Sequence, residues 1–334
     1  TRVKLAGNIQ FHFFAARMND GVYHSTNAGQ SWTRLPDVPV PRESYNQNTS
    51  RVGRIGLAVV PDGTNGNLYA LVAKNLDKLT NDSFGFGGVY SLSLRSLEPG
   101  SLKSPSWSFL LNDGKLLNLF GEIKDTDPSY TRALQGDYDM AIAVERRNAD
   151  TDRLYLGGSA VGIVSQLYRG VMDVAGGQLI PVEYIGSGVH PDIHAITFPY
   201  KNDDIFDVDY QNIWVGTDGG VYQGDTTLTT ISLQSQNIGL SNMLLEKLGQ
   251  HPTSSDILTA GSQDSGGLYL NKISGWELKA GGDTGVGIIN WNNPEEIFWS
   301  HPLAFGNTWI NPQNPDGHLD RYETVMKFAP FVTP

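Results

Sequence analysis

Apolar residues along this chain fall in short runs bounded by Gly, Asn, Asp and Pro, and no long stretch places them at i, i+3, i+4 and i+7. Short bounded runs predict strands; the missing spacing argues against helices. The best helical candidate, Leu240 to Leu248, has flanks that suit a strand equally well.

The runs recur in a fixed order, which predicts a repeat. An apolar strand leads through a polar turn to a second strand: Arg54–Pro61 then Asn67–Ala73, Met140–Val144 then Arg153–Gly157, His194–Phe198 then Asn212–Gly216, Glu246–Pro252 then Asp256–Ala260, and Val286–Asn290 then Glu296–Ser300. A third strand opens on a Gly-Val-Tyr-like triplet at Gly21, Gly88, Gly220 and Gly267. A fourth carries Trp at Trp32, Trp107 and Trp276. Four short antiparallel strands per repeat make a propeller blade, and stacking blades radially buries both faces of each sheet.

The expected fold is therefore all-β, a β-propeller of four-stranded blades over 1–334 as a single domain. Six first strands, near Gly56, Ala141, Ala195, Lys247, Gly287 and Phe331, favour six blades. Seven is the alternative if the long stretch 111–135 holds a degenerate blade; otherwise that stretch is a surface insertion. The strand at 327–333 is expected to complete the blade begun by 8–35, which would remove an open sheet edge.

Composition narrows the function. The chain has 334 residues and no cysteine, so disulfides, thiolate metal sites and cysteine nucleophiles are excluded. Asp and Glu number 35 against 24 Lys and Arg, a net charge of −11. That balance offers no basic footprint for nucleic acid. No apolar run reaches the about 18 residues a membrane helix needs, so no membrane insertion is expected. The 38 Gly and 17 Pro imply many turns. A start at Thr1 with no charged-then-apolar leader reads as a processed chain or a piece of a longer one.

Ser25-Thr-Asn-Ala-Gly-Gln-Ser-Trp32 resembles an Asp-box, the hairpin of sialidase-like propellers. In that hairpin Asn27 and Gly29 are expected at positive φ with Trp32 packed over the turn. Gly53–Val59, Gln135–Val144, Val189–Ile196, Val215–Tyr222, Gly261–Gly266 and Gly281–Gly285 resemble segments of bacterial BNR-repeat propellers, a group with sortilin-like and xyloglucanase-like members. The resemblance implies fold more than activity, because the group holds hydrolases, receptors and surface proteins. Sialidases use a three-arginine clamp; Arg51, Arg54 and Arg132 do not form a convincing one, so sialidase activity is disfavoured.

Propeller geometry predicts where chemistry gathers. Loops entering first strands and loops leaving second strands lie on one face. The entering loops carry Arg51, Arg54, Asp137, Asp139, His190, Asp192, His194 and Asp283; the leaving loops carry Asp218, Gln263, Asp264 and His301. Paired carboxylates at such a mouth suit glycoside hydrolysis. Asp218, in Gly-Thr-Asp-Gly-Gly, resembles the segment that supplies a catalytic Asp in xyloglucanase-like propellers, with Asp192 or Asp139 as its partner. Arg54, Asp137, Tyr138, Gln263, Asp264 and Asp283 are the expected substrate-binding residues. The alternative is that these aspartates only cap turns.

His190, Asp192 and His194 alternate by two and offer N and O ligands, with Ca²⁺ the cofactor such oxygens suit. Against a ligand role, His194 leads straight into an apolar strand, where a hydrogen-bonded histidine is the commoner case. Tyr138, Trp214, Trp291 and Trp299 are candidates to stack on sugar rings, although Trp214 and Trp299 lie mid-strand and suit core packing. Asn48-Thr-Ser50 and Asn81-Asp-Ser83 fit glycosylation sequons. The expected function is a secreted or surface propeller that binds or hydrolyses polysaccharide at an acidic mouth. The rival is a non-catalytic adhesion module with a protein partner.

Overall fold

The computed structural model describes residues 2–5, 8–39, 52–60, 66–75, 84–98, 100–110, 116–121, 134–148, 150–161, 164–173, 178–201, 204–240, 245–263, 265–281, 284–285, 287–290, 293–294, 297–300 and 309–310. Among the described residues the named elements are strands, apart from a 3-10 turn at Leu94–Leu97. Strands β1 (Arg2–Leu5) and β2 (Asn8–Phe11) pair as a hairpin. A three-stranded sheet follows: β3 (Phe13–Arg17), β4 (Gly21–Ser25) and β5 (Thr33–Arg34). The next sheet has four strands: β6 (Val52–Val59), β7 (Asn67–Asn75), β8 (Phe84–Ser93) and β9 (Trp107–Phe109). So does the one after it: β10 (Ala141–Asn148), β11 (Thr151–Val161), β12 (Val164–Asp173) and β13 (Gln178–Tyr184).

The following blade starts at β14 (Ile193–Thr197), detours through a hairpin of β15 (Tyr200–Lys201) and β16 (Asp204–Val208), and resumes with β17 (Asn212–Thr217), β18 (Gly220–Asp225) and β19 (Gln234–Ser235). Another four-stranded sheet comprises β20 (Leu245–His251), β21 (Ser254–Ser262), β22 (Gly266–Asn271) and β23 (Gly275–Ala280). A last sheet has β24 (Gly287–Ile289), β25 (Ile297–Ser300) and β26 (Trp309–Ile310). Every named pair is antiparallel and each strand pairs with the next of its own blade, which is the propeller meander. Six blade sheets thus occur among the described residues. The closing strand 327–333 lies outside them, and the ambiguous segment at Leu240–Leu248 becomes β20 from Leu245 onward.

The chain divides into two compact units, Thr1–Ile238 and Gly239–Pro334. In the first, β3, β6, β10 and β14 adjoin in turn, and three apolar clusters lie between successive blades. Strand β7 shows why its sequence reads as continuously apolar. Leu68, Ala70 and Val72 enter one cluster, while Tyr69, Leu71 and Ala73 enter the next. All six side chains are buried, as a period-two strand between two blades requires. In the second unit β24 adjoins β20 and β21, and Tyr269 packs with Ile297.

Acidic clasps tie neighbouring blades of the first unit. Tyr69 of β7 donates its hydroxyl to Asp152 of β11 at 2.5 Å, and Arg146 meets the same carboxylate. Tyr155 donates to Glu145, and Arg153 reaches from that carboxylate to the Thr226 carbonyl beyond β18. Stretch 111–135, expected to be a surface insertion or a blade, sends Leu116, Leu119 and Phe120 into the core beside Tyr69 and Leu154, while Leu117 stays exposed.

The turn at Ser25–Trp32 differs in one detail from expectation. Positive φ falls on Ala28 (58°) and Gly29 (82°), not on Asn27. Asn27 instead uses its side chain: Oδ1 accepts from Ser31 N and Nδ2 donates to Ser31 Oγ. Ser25 Oγ accepts from Gly29 N, and the Trp32 ring lies over Gly29.

Candidate functional site

Three loops of the first unit converge on one polar cluster. The first enters β10. Gln135 and Gly136 are held by backbone hydrogen bonds to Phe120 and Phe84, and Asp139 N closes a turn on the Gln135 carbonyl. Gly136 has no room for a side chain, because a Cβ there would fall 2.4 Å from the Phe84 carbonyl oxygen. Arg54 of β6 donates to the carbonyls of Asp137 (3.1 Å) and Tyr138 (2.5 Å), so it fixes the loop's backbone. The turn buries Asp139 completely and leaves Tyr138 half exposed.

The second loop enters β14. Asp192 adopts φ 59°, a left-handed conformation that an Asp tolerates better than most residues and that recurs at functional sites. Register between β14 and β17 slips between Ile193 and Ala195. The resulting bulge lies at His194, and bulges of this kind re-aim side chains at sites. His194 is hydrogen-bonded, as its place before an apolar strand suggested, but it is partly exposed and joins the loops instead of the apolar core. Its Nε2 lies 2.5 Å from Asp218 Oδ1 and its Nδ1 3.6 Å from Asp139 Oδ1. Its ring meets that of Tyr138 edge-on at 4.8 Å.

The third loop joins β17 to β18 and carries Asp218. Gly220, at φ 114°, lies against Asn237, whose Oδ1 accepts from Val221 N and whose Nδ2 donates to the Gly219 carbonyl. The His190 ring covers Gly219 from another side, leaving no space for a Cβ there. The turn is thereby clamped, and Asp218 keeps 17% of its side chain exposed.

The electrostatics centre on Asp139. Burial, followed by the negative charges of Asp192 and Asp218, pushes its carboxyl up to about 8. The Ser159 hydroxyl lies beside it, 2.6 Å from Gln135 Oε1 and 3.2 Å from Asp192 Oδ1. At neutral pH the cluster thus holds a protonated buried carboxyl next to two carboxyls that solvent reaches in part. Such a group of interacting acids is a recurrent feature of catalytic and binding sites.

The structure brings together Asp139, Asp192, His194 and Asp218, with Tyr138 at the rim. Asp139, expected to face substrate, is wholly buried among its neighbours. Asp137 contributes its carbonyl to Arg54. His190 turns Nδ1 to the Pro191 carbonyl and its ring to Gly219, away from a shared ligand geometry with Asp192 and His194. Among the described residues no group of three or more His, Asp or Glu is arranged to hold a metal ion. Gln263, in the second unit, is exposed. Asp264, Asp283, His301, Arg51, Arg132, Trp291, the Trp299 side chain and both sequons lie outside the described residues, and Trp214 is half-buried in β17.

Gln135, Ser159 and Asn237 were missed by sequence reasoning. Ser159 lies in β11 two residues past Gly157, the partner of Ala141 in β10, as Asp218 lies two residues past Gly216, the partner of Ala195 in β14. That correspondence between blades was the available signal. A Cβ on Gly158 would fall 2.0 Å from the Leu119 carbonyl oxygen, so the glycine lets stretch 116–121 approach and anchor Ser159 N.

No family model and no curated protein matches the chain by sequence. Among solved structures it is similar to the GH74 xyloglucanase from Xanthomonas campestris, with 15% identity, a TM-score of 0.52, and coverage of 91% of this chain and 40% of that one. It also matches an ancestral GH74 enzyme at 15% identity and a TM-score of 0.48, over 90% of this chain and 41% of that one. The chain spans about two fifths of the length of these structures. At such identity the likeness speaks to fold, and together with the meander sheets it makes the chain a β-propeller of four-stranded blades.

Proposed function

We propose that this chain is a glycan-facing propeller, secreted or at a cell surface, whose cluster of Asp139, Asp192, His194 and Asp218 binds or cleaves polysaccharide. One observation carries the reading: three separate loops deliver three carboxyl groups and an imidazole to one place, beside an aromatic ring that solvent reaches. In a cleavage reaction, Asp192 and Asp218 are the groups that touch substrate. Asp192, beside Asp139, is the second carboxyl of the pair. Asp218, held by His194, serves as base or nucleophile. The single domain 1–334 and its closure through 327–333 belong to the same proposal.

The test is a polysaccharide binding and hydrolysis screen of the full chain, repeated with Asp218→Asn. The reading expects binding or cleavage that the variant loses while its melting temperature stays near that of the parent. Failure of every glycan to bind or react overturns it. So does a variant that unfolds, because Asp218 would then be turn chemistry.

A second reading, a non-catalytic module with a protein partner, draws on one observation in the second unit. Leu248, Trp276 and Leu278 are exposed on one face of the β20–β23 sheet, in register through Leu268 and Leu270. Exposed apolar surface of this kind suits a protein contact.

A further inference from the structure

The cluster is short of positive charge. Besides the protonated Asp139, the cluster holds the carboxyls of Asp192 and Asp218 and one imidazole, which meets Asp218 and Asp139 and supplies at most a single positive charge. Arg54, the nearby base, is turned to the carbonyls of Asp137 and Tyr138. No donor reaches either oxygen of the wholly buried Asp139 in good geometry: the Ser159 hydroxyl lies beside it, His194 Nδ1 is 3.6 Å from Oδ1, and its protonated form turns to the Asp192 carboxyl. A buried carboxyl that meets another carboxyl where well-aligned donors are the rule calls for a reason.

Tyr138 supplies the complementary element. Its ring stands half exposed over the same cluster. An aromatic face flanked by carboxylates binds an ammonium group through cation–π attraction and charge-assisted hydrogen bonds. A neutral sugar leaves the excess of carboxylate uncompensated, and a uronic acid adds to it.

From this juxtaposition we infer that the site takes an amine-bearing sugar, a hexosamine unit whose ammonium sits against Asp192 and Asp218 and whose ring lies against Tyr138. The inference rests on the glycan-facing reading and names its substrate class. One consequence follows from linkage. A cation placed beside Asp139 favours its charged form, so binding near pH 7 releases a proton from a carboxyl that is otherwise held up at about 8.

The experiment is calorimetric titration of the full chain at pH 7, in two buffers of different ionisation enthalpy and at about 0.15 M salt. The probes are glucosamine oligomers, their N-acetylated counterparts, neutral β-glucan oligomers and an oligolysine. Glucosamine oligomers are expected to bind at least tenfold tighter than the other three. Asp218→Asn is expected to weaken them tenfold or more. The amines take up protons when they bind as ammonium near pH 7, so the readout is a difference: the parent is expected to release up to one proton per site more than Asp139→Asn, folded by its melting curve.

If N-acetylated or neutral oligomers bind as tightly, the inference fails and the glycan-facing reading stands. If no oligosaccharide binds, both fail. Oligolysine binding as tight as glucosamine binding overturns the inference as general attraction to an acidic protein. Glucosamine affinity unchanged in Asp218→Asn overturns it as well, because the ligand then sits elsewhere.

Discussion

Asp139 and Asp152 lie at opposite ends of the same blade, one just before β10 and the other on β11, and both are wholly buried. Asp152 is fully served: Tyr69 donates a hydroxyl to one oxygen and Arg146 meets the other. Asp139 has the carboxyls of Asp192 and Asp218 for neighbours where Asp152 has a hydroxyl and a guanidinium, and the Ser159 hydroxyl beside it is not aligned to donate well. A buried ion with its donors in place fastens two blades. A buried acid surrounded by other acids stores a proton, which a fold has no need of and a binding site does. Burial alone therefore does not separate scaffold from site in this propeller; the satisfaction of the buried group does.

The largest expected effect breaks the scaffold side of the comparison. Asp152→Ala removes the partner of Arg146 and of the Tyr69 hydroxyl, and is expected to destabilise the first unit by about 3–5 kcal/mol in denaturant unfolding. Asp139→Asn, with the same burial, is expected to cost little or to stabilise at pH 8, since the amide needs no proton to remain neutral. Equal losses in the two variants would erase the distinction.

Next comes the pH dependence. The Asp139 carboxyl is raised in the folded state, so its contribution to stability is fully present below the unfolded value near 4 and is lost as pH rises through about 8. The slope approaches about 1.4 kcal/mol per pH unit where one proton separates the two states. His12 and His24 oppose it at lower pH. Their rings stack in the first unit with Nδ1 of one 2.8 Å from Nε2 of the other, and burial lowers both, His24 to about 4. Their contribution is present above pH 6.5 and is lost as pH falls below it. Unfolding measured between pH 6.5 and 8 isolates Asp139, and Asp139→Asn is expected to flatten that window alone.

Two smaller effects sharpen the picture. Tyr69→Phe withdraws one donor from Asp152 and is expected to cost about 1–3 kcal/mol by denaturant midpoint. Asn237→Ala loosens the turn that presents Asp218, with an expected loss near 1 kcal/mol in stability and a larger proportional loss in glycan affinity. An affinity loss no greater than the stability loss would assign Asn237 to the fold.

The blades were legible in the sequence because their constraints are local. The continuous apolar run of β7, the Gly-Val-Tyr triplets within β8 and at the start of β18, and the Trp of β9 each follow from strand period and turn geometry. Strands β12 and β13 carry neither triplet nor Trp, so the outer half of their blade went unnamed. The gathering of Asp139, Asp192, His194 and Asp218 follows from applying blade topology to loops. What sequence does not encode locally is which carboxyl is buried and which partner reaches it. Ser159, Gln135 and Asn237 act across loops, and the bulge that turns His194 outward depends on the register of β14 against β17.

The central claim is that Asp139 is a proton-holding acid of a site and not a structural anion. Carbon-13 NMR of the labelled side-chain carboxyls measures it directly, with Asp139→Asn assigning the resonance. The account predicts a titration midpoint for Asp139 near 8. A midpoint at or below 4 would show a satisfied carboxylate there and would contradict it.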